Sequence, residues 1–212
     1  MVKIKGVFFD MDGTIVRYPH EPFHSSWDAI GSALGLAEEW NALISYYLPR
    51  KNLYSEWYEK QVTSLRGVQV SRITDKIFPV PYAPGIRAVA PYINSRYKTG
   101  IITSGVNVVA DRVRQELEFD FCICNELEVK NGVLTGRTTS FMNLWDKGET
   151  FLNACRTHKL DPSEVCFVGD HVNDVPVFRL AGMAIAFNPK EPKVAKAADY
   201  VIHDFEELRG II

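Results

Sequence analysis

The stretch VFFDMDGTIV, residues 7 to 16, runs a set of apolar residues directly into two acids. Asp10 follows the apolar run, and Asp12 comes two positions later, before Gly13. Residues two apart on a strand point the same way, so both carboxylates can project from the strand end into one site, and the glycine permits a tight turn. Because acids are depleted in strands, we interpret this pair as a reaction centre rather than an exposed strand end.

Similar apolar runs recur along the chain, separated by amphipathic segments of helical length. The runs are residues 2–9, 98–104, 119–124, 164–170, 183–187 and 200–202, and helical spacing covers 107–117, 147–155 and 173–180. Strands that alternate with helices predict a parallel sheet covered on both faces. We therefore predict an α/β fold, a three-layer α/β/α doubly wound parallel sheet.

Residues 18–82 have a different pattern, with helical spacing and no clear strand. Three of the four tryptophans lie in this section. We predict a small helical cap inserted after the first strand, with residues 1–17 and 83–212 forming the catalytic core. The segment ELEVKNGVLTGRTT, residues 126–139, predicts a hairpin because Asn-Gly favours a tight turn.

Composition excludes several classes of protein. The chain has 212 residues, 46% of them hydrophobic, with a net charge of -2 and a pI near 6.2. This balance lacks the basic patch of a nucleic-acid-binding protein, and no run of 18 apolar residues predicts a membrane span. The N-terminal apolar run is too short for a signal peptide. We expect a cytoplasmic monomer or homodimer whose four cysteines are small core residues.

More polar residues follow the other predicted strands. Ser104 and Asp170 end two of them, and Asp174 lies near the start of the next helix. The carboxyl ends of parallel strands carry the reactive groups in such sheets, so these residues are expected to lie beside Asp10. A cluster of carboxylate oxygens suits Mg²⁺. Capping of a helix N-terminus is the alternative role for the two acids and for the serine.

An anion site is predicted next to this cluster. Ser104 and Gly105 precede a helix, where a hydroxyl and free backbone N–H groups can bind phosphate. Lys147 opens another helix and could bring a positive charge, although most of the 24 basic residues are expected to be solvated. A carboxylate nucleophile, a second acid, a hydroxyl, a lysine and metal-binding acids together suit phosphoryl transfer through an aspartyl phosphate.

Four motifs carry a family resemblance. DMDGT, TSG, the lysine of DKG, and GDHVND occur in this order, and they resemble the four motifs of the haloacid dehalogenase superfamily. The resemblance covers the core, residues 1–17 and 83–212. Within that superfamily, NELEVKNGVLTGRTT, WDKGE, VGDHVNDVPVF and AIAFNPKEPKVAKAADYVI resemble the phosphoserine phosphatase branch.

The resemblance implies a role for each acid. Asp10 would attack phosphorus, and Asp12 would protonate the leaving oxygen and then activate water. Mg²⁺ would be held by Asp10, the backbone carbonyl of Asp12, and Asp170, with Asp174 supporting the site directly or through water. The dehalogenases lack an acid at the position of Asp12, so this residue favours phosphate chemistry.

The remaining implied roles concern the substrate, which is expected to be a small phosphorylated metabolite. Ser104, the N–H of Gly105, and Lys147 would hold the phosphoryl oxygens, and Asn173 would help to place the phosphate. The cap would close over the substrate and exclude water. Which of the cap aromatics line the pocket is left open.

The sequence departs from the phosphoserine phosphatase pattern at the groups that grip the amino-acid end of that substrate. Glu21 is near the expected acid but out of register, and Gln61 stands where an arginine is expected, with Arg66 displaced. His171 follows Asp170 where that branch has glycine. The sequence therefore predicts a phosphatase and leaves its leaving group open.

Three other functions share part of this pattern. A phosphotransferase or mutase would use the same motifs with an acceptor hydroxyl in place of water. A phospho-aspartate switch would use similar residues, but the cap and Asp12 disfavour it because a switch must retain its phosphate. A binding protein with vestigial motifs is disfavoured because all motif residues are intact.

Overall fold

The computed structural model describes residues 3–19 and 25–212. Its strands are β1 Gly6–Phe9, β2 Lys98–Val106, β3 Phe121–Lys130, β4 Val133–Ser140, β5 Val165–Gly169, β6 Met183–Phe187 and β7 Tyr200–Ile202. They form one sheet in the order β4-β3-β2-β1-β5-β6-β7. Every pairing is parallel except that of β3 with β4. The predicted doubly wound α/β sheet is confirmed.

Helices fill the connections between these strands. They are α1 Ser26–Leu34, α2 Ala37–Tyr47, α3 Tyr54–Ser64, α4 Val70–Ile77, α5 Ile86–Asn94, α6 Asn107–Glu116, α7 Lys147–Thr157, α8 Val175–Phe178 and α9 Pro192–Ala195, with short 3₁₀ turns at Lys51–Leu53, Pro162–Glu164 and Phe205–Gly210. Among the described residues, no helix is both long and apolar enough to span a membrane.

The first strand is buried on both faces of the sheet. Phe8 packs edge-on against Phe121 at 4.9 Å on one face, and Phe9 stacks on Phe119 at 5.1 Å on the other. The two side chains belong to separate hydrophobic clusters. Burial on both faces explains why this strand reads as an unbroken apolar run, and it makes β1 the centre of a three-layer structure.

The helical segment after β1 leaves and rejoins the sheet at adjacent points. Arg17 N–H donates to Pro81 at 2.9 Å, and Ala83 N–H donates to the carbonyl of Ile15 at 2.8 Å. The segment also contacts the β3–β4 hairpin, where the Tyr58 hydroxyl donates a hydrogen bond to Thr138 Oγ1 at 2.9 Å. Helices α1 to α4 therefore lie above one end of the sheet, tied to it at both chain crossings.

The hairpin itself forms at the predicted turn. Lys130 pairs with Val133 across it, and Asn131 and Gly132 both adopt positive φ angles, 50° and 75°. Such angles characterise the tight turns whose twist matches that of antiparallel strands.

Two differences from the predicted boundaries affect the arrangement of the polar residues. Strand β2 continues through Ser104 to Val106, and its pairing with β3 shifts register between Ile102 and Val106. The residue before α6 is therefore Val106, so Ser104 is not the cap of that helix. Helix α8 is shorter than the predicted 173–180, since the residues before Val175 form a loop around the Asp174 carboxylate.

The cysteines are the small core residues that the sequence predicts. Cys124, Cys155 and Cys166 are buried, Cys122 is half-buried, and all four are free thiols.

Replacing Phe9 tests the central position of β1. Phe9→Ala removes a fully buried ring, so we expect the free energy of unfolding to fall by about 3–5 kcal/mol in urea denaturation followed by circular dichroism. Tyr200→Ala is the control, because that ring is 46% exposed and its loss should cost less than about 1 kcal/mol. Equal losses in the two variants would contradict the assignment of β1 as the core strand.

Candidate active site

Three carboxylates meet at the carboxyl edge of the sheet. Asp10 follows β1, Asp170 follows β5, and Asp174 immediately precedes α8. Because β1 and β5 are adjacent and parallel, their ends lie side by side. One carboxylate oxygen from each residue falls within 4.8 Å of the others. The predicted acid cluster is therefore formed by residues far apart in sequence.

A buried lysine joins two of these acids. Lys147 is the first residue of α7 and is fully buried. Its Nζ donates to Asp10 Oδ1 at 2.7 Å and to Asp174 Oδ1 at 2.6 Å. Burial disfavours the ammonium, but the two carboxylates outweigh it and raise the pKa of Lys147 above its ordinary value. The lysine therefore remains charged and holds two loops together.

Asp174 accepts hydrogen bonds through both of its carboxylate oxygens. Its Oδ2 accepts the backbone N–H groups of Asp170 and His171, both at 3.0 Å, while its Oδ1 accepts from Lys147. This carboxylate therefore shapes the loop that carries Asp170.

Within the described chain, one oxygen of Asp170 accepts no hydrogen bond. Its Oδ1 accepts from Thr14 Oγ1 at 2.9 Å, and its Oδ2 faces Gly13. A Cβ atom on Gly13 would lie 2.3 Å from that Oδ2, and Gly13 has a φ of 88°. Only glycine fits this turn. In the DMDGT motif, Gly13 therefore leaves space for the Asp170 carboxylate, and Thr14 supplies the hydroxyl that orients it.

Asp12 lies outside the three-carboxylate cluster. Ser26 of α1 donates to its Oδ2 at 2.7 Å, and its Oδ1 is buried and makes no hydrogen bond within the described chain. Burial, with a smaller contribution from the charge of Asp10, raises the pKa of Asp12 to about 7. This carboxyl group can therefore hold or release a proton near neutral pH.

The cluster fits a divalent cation. Burial raises the pKa of Asp10 to about 7 although Lys147 opposes the shift. Burial and the neighbouring carboxylates raise the pKa of Asp170 well above its ordinary value. Three carboxylates against one ammonium leave an excess negative charge, which a cation with oxygen ligands would neutralise. Asp10 and Asp170 have oxygens suited to this role.

The predicted anion-binding residues divide into two groups. Ser104 and Asn173 line the pocket above the acids. Gly105 N–H donates to Thr103 Oγ1 at 3.0 Å, so here it is not the free donor that the sequence predicts. Lys147 is enclosed between carboxylates and does not line the pocket.

The pocket extends from the acids to the helical segment and has a volume of about 170 Å³. Of the aromatics in that segment, Trp27, Tyr54 and Trp57 line it. Trp27 Nε1 also donates to the carbonyl of Ser104 at 3.2 Å. Helices α1 and α3 thus form the wall that faces the acid cluster.

Sequence reasoning missed several polar residues that support the site. Thr14 is the last residue of the DMDGT motif, so the motif itself could have identified it. Ser26 bonds to Asp12, and Asn125 donates to the carbonyl of Ser104 at 2.7 Å; neither belongs to a local pattern. Of the residues compared with phosphoserine phosphatases, Gln61 lines the pocket, while Arg66 is exposed and does not. Glu21 lies outside the described residues.

Comparison with known sequences agrees with the family resemblance of the four motifs. A family model described as a haloacid dehalogenase-like hydrolase matches residues 4–182. The phosphoserine phosphatase of Saccharomyces cerevisiae is 29% identical over 194 residues, which are 90% of this chain and 60% of the yeast protein. That of Archaeoglobus fulgidus is 28% identical over 87% of this chain and 53% of its own length. That of Methanocaldococcus jannaschii is 25% identical over 99% of this chain and 97% of its own.

Solved structures share the fold. A phosphoserine phosphatase structure described as a phospho-aspartyl intermediate analogue superposes with a TM-score of 0.79, 24% identity and 99% coverage of both chains. A HAD family hydrolase from Salmonella enterica superposes with a TM-score of 0.85 and 24% identity, over 98% of this chain and 70% of that one. The predicted fold family is confirmed.

The acid cluster predicts how stability depends on pH without metal. The pKa values of Asp10 and Asp12 rise from 3.8 to about 7 on folding, so between these values the folded state binds more protons than the unfolded state. Its stability must therefore fall as pH rises through about 7. We expect a lower free energy of unfolding at about pH 8 than at about pH 5 in the presence of a chelator.

Two variants check the source of this dependence. Asp170→Asn removes one of the crowded charges and should reduce the loss of stability between the two pH values. Asp75→Asn, at an exposed position on α4, should behave as the wild type. A wild-type protein whose stability rises over this interval would contradict the prediction.

Proposed function

The chain belongs to the haloacid dehalogenase-like hydrolase family, and we propose that it is a Mg²⁺-dependent phosphatase acting on a small phosphate monoester through an aspartyl-phosphate intermediate. The observation that carries this proposal is the contrast between two acids of one pocket. Asp10 pairs with Lys147 inside the carboxylate cluster, whereas Asp12 bonds to Ser26 outside it. A nucleophile and a proton donor need such different surroundings. The similarity to phosphoserine phosphatases supports the same chemistry.

Asp10 is the nucleophile in this scheme. Lys147 holds its Oδ1 at 2.7 Å and orients the carboxylate. The other oxygen attacks phosphorus, a P–O bond forms to Asp10, and the P–O bond to the leaving alcohol breaks. Burial keeps water from competing for the carboxylate before substrate binds.

Asp12 transfers the protons. It gives its proton to the departing alcohol oxygen, and it then takes a proton from the water that attacks the phosphoaspartate, which releases phosphate and restores both acids. Its pKa of about 7 suits both halves of the reaction, because general acid–base catalysis works best when the pKa is near the working pH. Ser26 holds the side chain in place through Oδ2.

A bound Mg²⁺ would be held by Asp10, Asp170 and the backbone carbonyl of Asp12, and it would supply positive charge to the phosphoryl oxygens. Asp174 would support this site by orienting the Asp170 loop through its contacts with the backbone. Mg²⁺ is proposed over larger cations because proteins usually bind it through one or two carboxylates, with water and substrate phosphate completing its coordination.

Ser104 and Asn173 are the proposed contacts of the phosphoryl oxygens, since both line the pocket. Gly105 N–H would join them if it exchanged Thr103 for phosphate. Lys147 acts mainly by neutralising and positioning Asp10. Residues 18–82 are proposed to form the cap over the core, residues 1–17 and 83–212. A cytoplasmic location and a monomeric or dimeric state belong to the same proposal.

Replacing the nucleophile tests the reaction directly. Asp10→Asn should reduce the release of phosphate from phenyl phosphate by at least about 10³-fold, because an amide cannot attack phosphorus. Chelation of Mg²⁺ should abolish wild-type release, and added Mg²⁺ should restore it. Asp75→Asn is the matched control and should retain wild-type activity. Near wild-type turnover in the Asp10 variant, with its folding checked by circular dichroism, would overturn the proposal.

A second variant separates the two acids. Phenyl phosphate and, better, p-nitrophenyl phosphate have leaving groups that need little proton donation. Asp12→Asn should therefore still form the phosphoenzyme from p-nitrophenyl phosphate but hydrolyse it about 10²–10⁴-fold more slowly. A rapid-quench experiment should show a burst of about one p-nitrophenolate per protein. Steady turnover at the wild-type rate would contradict the role of Asp12, and phosphate transfer to an added alcohol would favour a transferase.

A further inference from the structure

One face of α3 looks into the pocket above the acid cluster. Tyr54, Trp57 and Gln61 lie three and then four positions apart, a spacing that places side chains on the same side of a helix. All three line the pocket. The Tyr54 phenol lies beside Ser104, so this face begins near the proposed phosphate contacts and continues away from them.

Gln61 brings to this face a side-chain amide that has no partner among the described residues and lines the pocket. The residue is 6% exposed, and no hydrogen bond links its side-chain amide to another residue of the described chain. Trp57 has a similar deficit, since its Nε1 is buried and has no hydrogen-bond partner there. Buried polar groups are normally paired, because an unpaired one costs free energy. A bound molecule with a hydrogen-bonding group would satisfy both.

The surroundings of these groups are largely apolar. Trp27, Ile44, Leu48 and Leu144 line the same pocket. A hydrocarbon skeleton can pack against these side chains, and burying an unpaired charge there would be costly.

Charged side chains line the pocket beyond the acid cluster at three positions in the described chain. They are Asp28, Lys190 and Glu191, and none of them is buried. Together they carry one excess negative charge, which disfavours a leaving group whose only charge is a carboxylate. Away from these charges, the pocket is lined by the neutral amide of Gln61, a residue that is 6% exposed.

We infer that Gln61 and Trp57 form a leaving-group subsite for an uncharged, hydroxyl-bearing alcohol, so that the substrate class is the phosphate monoesters of neutral polyols or sugars. A substrate hydroxyl would accept from Trp57 Nε1–H and exchange a hydrogen bond with the Gln61 amide, while its carbon skeleton packs on the aromatic wall. This inference rests on the proposed phosphatase function and adds the identity of the group that leaves.

Esters that match in size and differ in charge test the subsite. Glycerol phosphate, 3-phosphoglycerate and phosphoserine share a three-carbon skeleton, and the first has an uncharged leaving group. We expect kcat/KM for glycerol phosphate, or for a hexose phosphate, to exceed that for the two charged esters by at least about tenfold. Equal or better hydrolysis of phosphoserine or phosphoglycerate would overturn the inference.

Two substitutions check that the named residues are responsible. Gln61→Leu and Trp57→Phe keep the approximate shapes of the side chains and remove their hydrogen-bonding groups. Each should lower kcat/KM for the preferred neutral ester roughly five- to hundredfold and lower kcat/KM for phenyl phosphate, which has no hydroxyl to offer, by a factor at least about fivefold smaller. Gln115→Leu, at an exposed site on α6, is the matched control. An equal loss on both esters would contradict a role in selecting the leaving group.

The outcome distinguishes this inference from the proposed function. Phenyl phosphate hydrolysis that requires Asp10, together with a preference for charged esters, would retain the phosphatase and reject the subsite. If no ester were hydrolysed, the phosphatase would be rejected, and calorimetric binding of glycerol phosphate and phosphoglycerate to the Mg²⁺-loaded protein would still decide the subsite. Tighter binding of glycerol phosphate, weakened by Gln61→Leu, would support it, and any other order would reject it.

Discussion

The gathering of three carboxylates around one buried ammonium is the constraint on which the site depends. Asp10, Asp170 and Asp174 are brought together because β1 and β5 are adjacent and parallel. Lys147 neutralises part of their charge and thereby ties the start of α7 to two loops. The pKa values of Asp10 and Asp170 remain raised, so the arrangement stays short of positive charge. A bound cation would supply the missing positive charge, and a site of this kind suits phosphoryl transfer.

The helical segment contributes to the chemistry as well as covering it. Ser26 in α1 binds the Asp12 carboxylate, and Trp27 binds the carbonyl of Ser104. A movement of this segment would therefore alter the surroundings of the proton donor and of a proposed phosphate contact together. Its aromatic and amide face on α3 then decides which alcohol can occupy the remaining space. Catalysis and selection of the leaving group would therefore be coupled through this one segment.

Local sequence patterns predicted the sheet well because strands buried on both faces must be continuously apolar. The same reasoning failed where polar contacts override periodicity. Strand β2 continues through Ser104 because its end pairs irregularly with β3, and α8 is short because the preceding loop wraps around Asp174. The interpretation of the thiols as core residues rested on strand patterns, since Cys122 and Cys124 alternate along β3 and Cys166 lies within β5.

The sequence by itself determined the α/β architecture, the family, and the acids and lysine of the motifs, because each depends on periodicity or on short, ordered patterns. Only the tertiary structure decided that Lys147 is enclosed by Asp10 and Asp174, that Ser26 orients Asp12, and that Gln61 lines the pocket without a partner among the described residues. These contacts join residues up to 137 positions apart. They arise from how strands pair and helices pack, and local sequence patterns do not predict contacts between residues so far apart.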